Sequence, residues 1–473
     1  MRLRLVSLAV VIGGVAACRP SDVLRVPPPV GVTAPGGLAS QAGAEEVFTY
    51  AKFELSAAVA GNYLTGVLMW SELLTDEFRF SGFTIFPSYA NVDARETAAR
   101  GGFSEGSDAA WQALLNARSL LLLSIPRLAQ YEPASGQSKV GEAYALVGYT
   151  EVFLAEDFCA GTPLDQVAPE IGVTYGTPLT TDSMLGVAVA DFDSALAHAG
   201  SDPTVEGLAS VGLGRALVDR GQYSAAMAAV TNVPVGFIYN TELAPRYGAD
   251  GVYTSNLYAY AYSYPYTSYR FFNVSEREGG TGLNYLSALD ARLTFDSSRT
   301  TSDHGTWYLP TKFETNFAYV PLATGVEAAL IQAEGALQAN DLGGWAGTLN
   351  TLRTSAPDTY LGLTAAMDTL PSDSTTGASA DAQVSVLFRE RAFWLFGTGT
   401  RLGDMRRLIR QYGRDQSAVF PVGPYPNGNN ANLPSPLPSY GTDVSITLPT
   451  ALLGYSTITN PNYKGCLTPT SSA

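Results

Sequence analysis

Cys18 is the residue whose surroundings most clearly indicate a chemical fate. It ends an N-terminal run that starts with two arginines and continues with apolar residues, and the small residues Val15-Ala16-Ala17 come directly before it. This order is typical of a secretory signal with a lipobox, in which the cysteine thiol takes a diacylglycerol after cleavage. The pattern predicts a mature chain that begins at Cys18 and is anchored by lipid. An ordinary secretory signal with an incidental cysteine is the alternative.

The other side chains suited to metal binding or nucleophilic catalysis are few. Cys159 and Cys466 form either a disulfide, which a secreted chain permits, or two unpaired thiols. His198 and His304 are far apart, and the sequence has no HExxH motif and no cysteine pair at ligand spacing. It also lacks a GxSxG elbow and a phosphate-binding glycine loop. The sequence therefore predicts no metal and no other cofactor.

Two acidic groups could in principle supply the carboxylate pair of a glycoside hydrolase. They are Glu72, Asp76 and Glu77 in one segment, and Glu276 and Glu278 in another. Glu72 and Asp76 are one helical turn apart, so we expect both on a single solvated helix face. That arrangement is typical of a solvated helix face and not of a catalytic pair of carboxylates. The chain is therefore predicted not to be an enzyme.

Aromatic residues suited to ligand binding are concentrated in three segments, at 78–89, 252–272 and 307–308. Tyrosines alternate strictly over residues 258–266, which is a strand-like period, although Pro265 restricts the segment to an edge or a loop. Such rings either pack the segment onto the helices or form a platform on which sugar rings stack. The candidate ligand-binding residues are Phe80, Phe83, Phe86, Tyr89, Tyr258, Tyr260, Tyr262, Tyr264, Tyr266, Trp307 and Tyr308.

Composition restricts the partners of the chain. Its 473 residues are 46% apolar and 15% charged, with a formal net charge of -15. This balance argues against nucleic acid as a partner. Beyond the N-terminal run, no apolar stretch approaches the roughly 18 to 20 residues that span a bilayer, so membrane attachment is predicted through the lipid anchor only.

Helical periodicity accounts for most of the remaining chain. We expect a signal peptide at 1–17, a Pro/Gly-rich tether at 18–43 and a single domain at 44–473. Within this domain, the helical core is predicted at about 44–230 and 325–410, an insertion at about 231–324 and an irregular region at about 408–473. The predicted helices begin near residue 45 and continue at about 63–77, 109–128, 139–158, 182–198, 206–220, 224–230, 325–339, 344–354 and 382–396.

Two helical hairpins, at about 206–230 and 325–354, have the short turns of tetratricopeptide-like stacks. The predicted fold is mainly α, with such hairpins forming a right-handed scaffold that carries long loop-rich and partly extended insertions.

The most specific motif lies in the last helical third, from Phe388 to Arg407. It resembles the closing pattern E-R-x-x-E-L-x-x-E-G-x-R-x-x-D-L-x-R of the SusD/RagB family, although Trp394 and Thr398 replace the usual acids. Weaker resemblances occur in the family's order, including Trp111, residues 153–164, residues 290–292 and Glu334. The matching positions are Glu390, Arg391, Leu395, Gly399, Arg401, Asp404 and Arg407. From the helix pattern alone, we expect Glu390, Arg401, Asp404 and Arg407 to form ion pairs that fix two helices together.

The resemblance implies a surface-exposed outer-membrane lipoprotein. Such a protein holds a glycan or other nutrient and passes it to a SusC-like TonB-dependent transporter. Ligand-binding residues vary within the family, so none is assigned by motif. The alternatives are a tetratricopeptide-like scaffold lipoprotein for envelope assembly and a glycan hydrolase. An adaptor would not need aromatic side chains near solvent, whereas a sugar-binding site would.

Overall fold

The structure is a computed structural model that describes residues 39–61, 66–80, 87–98, 106–168, 172–241, 272–276, 282–297, 300–301, 305–306, 308–311, 320–355, 366–426, 437–449 and 460–473. The protein is mainly helical, which confirms the predicted fold class. The α-helices of the described residues are α1 (Gln41–Val59), α2 (Val67–Leu74), α3 (Pro87–Asp93), α4 (Gly106–Tyr131), α5 (Ser138–Asp157), α6 (Thr181–Ala199), α7 (Pro203–Asp219), α8 (Tyr223–Val230), α9 (Gly325–Gln338), α10 (Leu342–Ser355), α11 (Ala380–Trp394), α12 (Arg401–Arg410) and α13 (Gln416–Val419).

The strands are short and pair two by two in antiparallel ribbons. The pairs are β1 with β5, β2 with β3, β4 with β10, β6 with β9, and β7 with β8. Their bounds are β1 (Phe78–Phe80), β2 (Gln166–Ala168), β3 (Gly172–Thr174), β4 (Ile238–Asn240), β5 (Phe272–Val274), β6 (Phe295–Asp296), β7 (Thr300–Thr301), β8 (Gly305–Thr306), β9 (Leu309–Pro310) and β10 (Pro321–Thr324).

Side-chain caps explain why several helices begin where they do. Ser40, Thr180, Thr324 and Ser379 each accept a hydrogen bond from a backbone N–H in the first turn of α1, α6, α9 and α11, respectively. Asp202 caps α7 in the same way. These contacts satisfy N–H groups that have no partner within the helix, so they fix the helix start.

The helices pack as successive hairpins, and both predicted hairpins are present as α7–α8 and α9–α10. Small residues allow a close approach where α5, α6 and α7 meet. The ring of Phe192 fills the space beside Gly148 and Gly212, where an added Cβ would lie 2.8 Å and 2.3 Å from ring atoms. Because atoms cannot approach that closely, glycine is required at this crossing.

Two sequence predictions differ from the structure near the N-terminal helices, and one short helix there was not predicted. Helix α1 begins at Gln41, within the predicted tether. The helix predicted at 63–77 is described only as Val67–Leu74, because Asp76 has a φ of 63° and the chain turns there into β1. Helix α3 was not predicted, since its seven residues are too few to show a period.

Buried ion pairs join α11 and α12. Arg391 donates two hydrogen bonds of 2.8 Å to Asp404. Arg407 donates to the same carboxylate at 2.6 Å and lies 3.1 Å from Glu334 of α9. Asp404 and Arg407 therefore take part in buried ion pairs as predicted, and the bond from Arg391 to Asp404 joins the two helices. The cluster holds three helices together.

Glu390 has other partners than those predicted. It accepts hydrogen bonds from Arg292 at 2.7 Å and from Arg353 at 2.8 Å. Successive positions on a helix point about 100° apart, so Glu390 cannot face α12 together with Arg391. The prediction that Glu390 joins the ion pairs between α11 and α12 is therefore wrong. Glu390 instead ties α11 to α10 and to the segment that contains Arg292.

Other residues of the resemblance also have structural roles. Gly399 has a φ of 72°, and an added Cβ would lie 2.1 Å from the Leu68 side chain, so both the backbone and the packing require glycine. Arg401 donates to the Phe388 carbonyl of α11 at 3.5 Å. Trp111 donates its indole N–H to Thr162 at 3.0 Å.

The described residues after α12 are largely irregular, as predicted, but they are firmly attached. Buried Arg95 donates to the carbonyls of Asp443 at 2.8 Å and Pro421 at 2.5 Å. Cys159 and Cys466 form a disulfide with a Cα separation of 5.6 Å, which decides between the two possibilities left open by the sequence. None of the helices in the described residues combines the length and apolar character needed to cross a membrane.

Candidate functional site

The ribbon formed by β1 and β5 connects two of the predicted aromatic segments. Phe80 is the last residue of β1, Phe272 is the first residue of β5, and the two are directly paired. Residues 81–86 therefore follow the ribbon in sequence at the same end at which the tyrosine-rich segment precedes it. Two segments that are about 170 residues apart in sequence are thus joined to neighbouring points of the structure.

Asn273 attaches the third aromatic segment to the same ribbon. Its side-chain amide donates to the Thr306 carbonyl at 3.3 Å, and its Oδ1 accepts from the Tyr308 N–H at 2.9 Å. The Val274 N–H also donates to the Tyr308 carbonyl at 3.4 Å. These bonds hold the residues on both sides of Trp307. All three predicted aromatic segments are therefore connected to the β1–β5 ribbon.

Aromatic packing anchors the ribbon to the helical core. The Phe78 ring lies 5.2 Å from the Phe396 ring, just beyond the end of α11. Tyr285 contacts the rings of Phe393 at 5.3 Å and Phe396 at 5.0 Å. Such ring contacts stabilise the pair beyond the burial of their area. The ribbon is thus packed, through Phe78, against the residues that follow α11.

Phe80 and Tyr89, two of the candidate ligand-binding residues, belong to this supporting core. Both rings are buried. Tyr89 lies 4.7 Å from Trp70 and 5.2 Å from Phe272, and Phe80 lies 5.9 Å from Tyr89. The expectation that Phe80 lies near solvent is wrong, because β5 and α3 cover its ring, and the candidate Tyr89 is buried in the same cluster. They support the ribbon and do not present a ring face to a ligand.

The other candidates divide into two groups. Tyr308 is half-buried, with its ring 6.3 Å from that of Phe295. The remaining candidates lie outside the described residues, and their role stays a prediction: Phe83, Phe86, Tyr258, Tyr260, Tyr262, Tyr264, Tyr266 and Trp307.

Asp93, at the end of α3, forms hydrogen bonds that attach the ribbon to the C-terminal region. Sequence reasoning did not identify this role. Its Oδ2 accepts from the Phe80 N–H at 2.9 Å and from the Tyr425 hydroxyl at 2.6 Å. Burial raises the pKa of Asp93 to about 7, although these two donors lower it in part by stabilising the charged form. The carboxyl therefore links the ribbon to the C-terminal region and titrates near neutral pH.

This raised pKa predicts a pH-dependent stability. The ordinary pKa is 3.8, so between about pH 4 and pH 7 the folded protein holds a proton that the unfolded chain has released. The stability from this group is full below about pH 4 and is lost as the pH rises through about 7. Asp93→Asn keeps an acceptor but cannot titrate. We expect its melting temperature, relative to the unsubstituted protein, to increase between about pH 5 and pH 8.

The matched control for this measurement is Asp381→Asn, because the Asp381 side chain is 87% exposed. The difference in melting temperature between Asp381→Asn and the unsubstituted protein should change little over the same pH interval. A pH-independent difference for Asp93→Asn would show that Asp93 does not titrate in this range.

The acidic groups do not have the surroundings predicted from the sequence. Glu72 and Asp76 are buried, not solvated, because Tyr440 of the C-terminal region lies over this segment and donates its hydroxyl to Asp76 at 3.1 Å. Glu276 accepts from the Ser287 N–H at 3.0 Å, and Glu278 lies outside the described residues.

Histidine provides no metal centre in the part of the chain that can be described. His198 stacks on Tyr144 with a centroid distance of 5.6 Å, and its Nδ1 lies 2.8 Å from the Ser194 carbonyl. His304 is outside the described residues. Among those that are described, no group of three or more His, Cys, Asp or Glu side chains is arranged to hold a metal ion.

No protein-family model and no curated protein matches the sequence. Solved structures do match. A SusD superfamily protein from Parabacteroides distasonis superposes with a TM-score of 0.61 at 11% identity, over 90% of this chain and 98% of that chain. Surface glycan-binding protein A from Bacteroides uniformis superposes with a TM-score of 0.59 at 14% identity, over 90% of this chain and 99% of that chain. A SusD-like carbohydrate binding protein from Bacteroides vulgatus superposes with a TM-score of 0.52 at 16% identity, over 77% of this chain and 83% of that chain.

The chain therefore has the fold of the SusD superfamily. The resemblance noted in the sequence is confirmed at the level of the fold, since the likeness extends over most of both chains. At these identities the comparison concerns architecture alone, because one fold can carry different binding specificities.

Proposed function

We propose that this protein is a surface-exposed outer-membrane lipoprotein of the SusD/RagB family that binds a glycan or oligosaccharide and delivers it to a SusC-like TonB-dependent transporter. The observation that carries the binding part is the attachment of three aromatic segments to the β1–β5 ribbon. The SusD-type fold supports it, and two similar structures are named as glycan-binding and carbohydrate binding proteins. The proposed role is binding without chemistry.

Aromatic rings are suited to this role because the apolar face of a sugar can stack on a flat ring while phenol hydroxyls reach sugar hydroxyls. The sequence places phenylalanine, tyrosine and tryptophan in the three segments that connect to the ribbon. Buried Phe80, Tyr89 and Phe272 give these segments a rigid base. A site on such a base needs less ordering of the protein when the ligand binds.

Single replacements of Phe83, Tyr264 and Trp307 by alanine test the proposed site. Each ring is expected to contribute on the order of 1 kcal/mol, so each replacement should weaken glycan binding several-fold to tenfold. Calorimetric titration with a glycan that binds the unsubstituted protein measures the effect. Phe80→Ala is not suitable, because it removes a core ring and lowers stability.

Tyr175→Ala is the matched control, because Tyr175 is an exposed tyrosine outside the three segments. Its affinity should equal that of the unsubstituted protein. Unchanged affinity in all three test variants would place the site elsewhere. Release of cleaved sugar by the purified protein would instead favour a hydrolase.

The lipid anchor is tested separately by Cys18→Ala. We expect the protein with Cys18 to fractionate with the outer membrane and the variant to be released, because stable membrane attachment requires the lipid chains. Cell fractionation and immunoblotting in a strain without the transporter measure this. A variant that stays in the membrane fraction would contradict the anchor but not the binding site.

A further inference from the structure

A cavity of about 410 Å³ lies among α11, α12 and α13, and none of its described lining residues belongs to the β1–β5 ribbon. Three of its lining residues are arginines, namely Arg389, Arg401 and Arg414. None of the lining residues that the structure describes is acidic. In a chain with a net charge of -15, three cations around one cavity make it a candidate site for an anionic ligand.

Arg414 is held by one nitrogen of its guanidinium group. Nη2 donates to the Asp381 carbonyl at 2.6 Å and to the Ser385 hydroxyl at 3.3 Å. The Asp381 carboxylate is 3.7 Å from the same nitrogen, but its side chain is 87% exposed, so water screens this pair. Within the described residues, Nε and Nη1 have no hydrogen-bond partner. The protein thus orients the group and leaves these donors for a ligand.

Arg389 is restrained in a similar way. Its Nη1 donates to Asn284 at 3.4 Å, and its guanidinium carbon lies 4.6 Å from the centroid of the Phe393 ring. Stacking on the ring fixes the plane of the guanidinium. Nε and Nη2 make no hydrogen bond to the described residues. Arg389 and Ser385 are one helical turn apart on α11, so they face the cavity together.

Much of the cavity wall is apolar. Phe388, Val386, Leu408 and Val419 line it, and an edge contact with Tyr412 at 5.2 Å fixes the Phe388 ring. The volume lies in the range of small-molecule sites, about 300–1,000 Å³. A bare inorganic anion would fill only a small part of it, whereas an acid with a body of one or two sugar rings would contact the apolar wall as well.

We propose that this arginine pocket, formed by Phe388, Arg389, Arg401 and Arg414, binds a small organic acid whose carboxylate is carried on a body the size of a sugar ring. The carboxylate accepts hydrogen bonds from Arg389 and Arg414, which offer the planar donor pairs that match its two oxygens. The body of the ligand packs on the half-buried wall residues Leu283 and Val386. The proposal is independent of the transport role and of the aromatic segments.

Calorimetric titration of the full chain with sodium D-glucuronate tests the pocket. D-glucose has the same ring without the charge, and sodium sulfate has charge without the ring. We expect glucuronate to bind about tenfold more tightly than either, because only glucuronate engages both the arginines and the wall. Arg389→Gln and Arg414→Gln should each weaken glucuronate binding about tenfold.

Arg127→Gln is the matched control, because Arg127 is a half-buried arginine of α4 that donates to the Leu123 carbonyl at 2.7 Å. It should not change the affinity. Arg414→Lys keeps the charge and should retain part of the binding if the fold is intact. Equal affinity for glucose or sulfate, no glucuronate binding at millimolar concentration, or an equal loss in Arg127→Gln would each overturn the proposal.

Discussion

Arg407→Met is expected to lower the free energy of unfolding by about 3–5 kcal/mol. Arg407 lies 2.6 Å from Asp404, 3.1 Å from Glu334 and 3.4 Å from Asp219, and all four side chains are buried. Methionine fills a similar volume but leaves these carboxylates without a shared cation. The loss comes from uncompensated buried charge, because little packing is removed.

The pKa of Asp404 supports that expectation. Burial would raise the pKa of Asp404, but Arg391 and Arg407 hold it below its ordinary value. Asp404 is therefore charged in the folded protein at neutral pH and depends on its cations. Removal of Arg407 withdraws one of the two guanidinium groups that contribute most to this effect.

The matched control is Arg220→Met. Arg220 lies 2.9 Å from Asp182, but the Asp182 side chain is 71% exposed, so the pair contributes about 0–1 kcal/mol. Denaturant unfolding followed by circular dichroism compares the two variants. Equal small losses in both would show that the buried cluster does not stabilise the scaffold.

Removal of the disulfide should have the second largest effect on stability. A Cys159→Ala, Cys466→Ala double variant is expected to lose about 2–5 kcal/mol. The bond links residues 307 positions apart and attaches the C-terminal region to the end of α5. Without this link the unfolded chain gains freedom, and the folded C-terminal region keeps only its noncovalent contacts.

Unfolding with and without reductant measures this effect. Reductant should destabilise the unsubstituted protein to the level of the double variant and leave the variant unchanged. If the oxidised protein and the variant unfold at the same denaturant concentration, the bond contributes nothing to stability.

The sequence predicts the helical elements well and their contacts less well. The hairpins at α7–α8 and α9–α10 follow from local periodicity and turn residues. The partners of Glu390 do not, because Arg292 and Arg353 come from distant segments of the chain. The disulfide does not follow from the local sequence either, since only the folded geometry brings Cys159 to Cys466.

The candidate site shows the same limit. Sequence identifies the aromatic segments, but it does not show that Phe80 and Tyr89 are covered by β5, which lies about 190 residues further along the chain. Asn273 was missed because a polar residue between Phe272 and Val274 reads as the outward position of a strand. Its hydrogen bonds to Thr306 and Tyr308 become evident only in the structure.

Hydroxyl-radical footprinting with mass spectrometry, in the presence and absence of a bound glycan, tests directly whether the glycan binds at the three aromatic segments. We expect the glycan to protect segments 81–86, 252–271 and 307–308 together, because all three connect to the β1–β5 ribbon. Tyr50 and Tyr175 are exposed elsewhere and should keep their reactivity. Protection at Tyr50 or Tyr175, with the three aromatic segments unchanged, would contradict a glycan site at the β1–β5 ribbon.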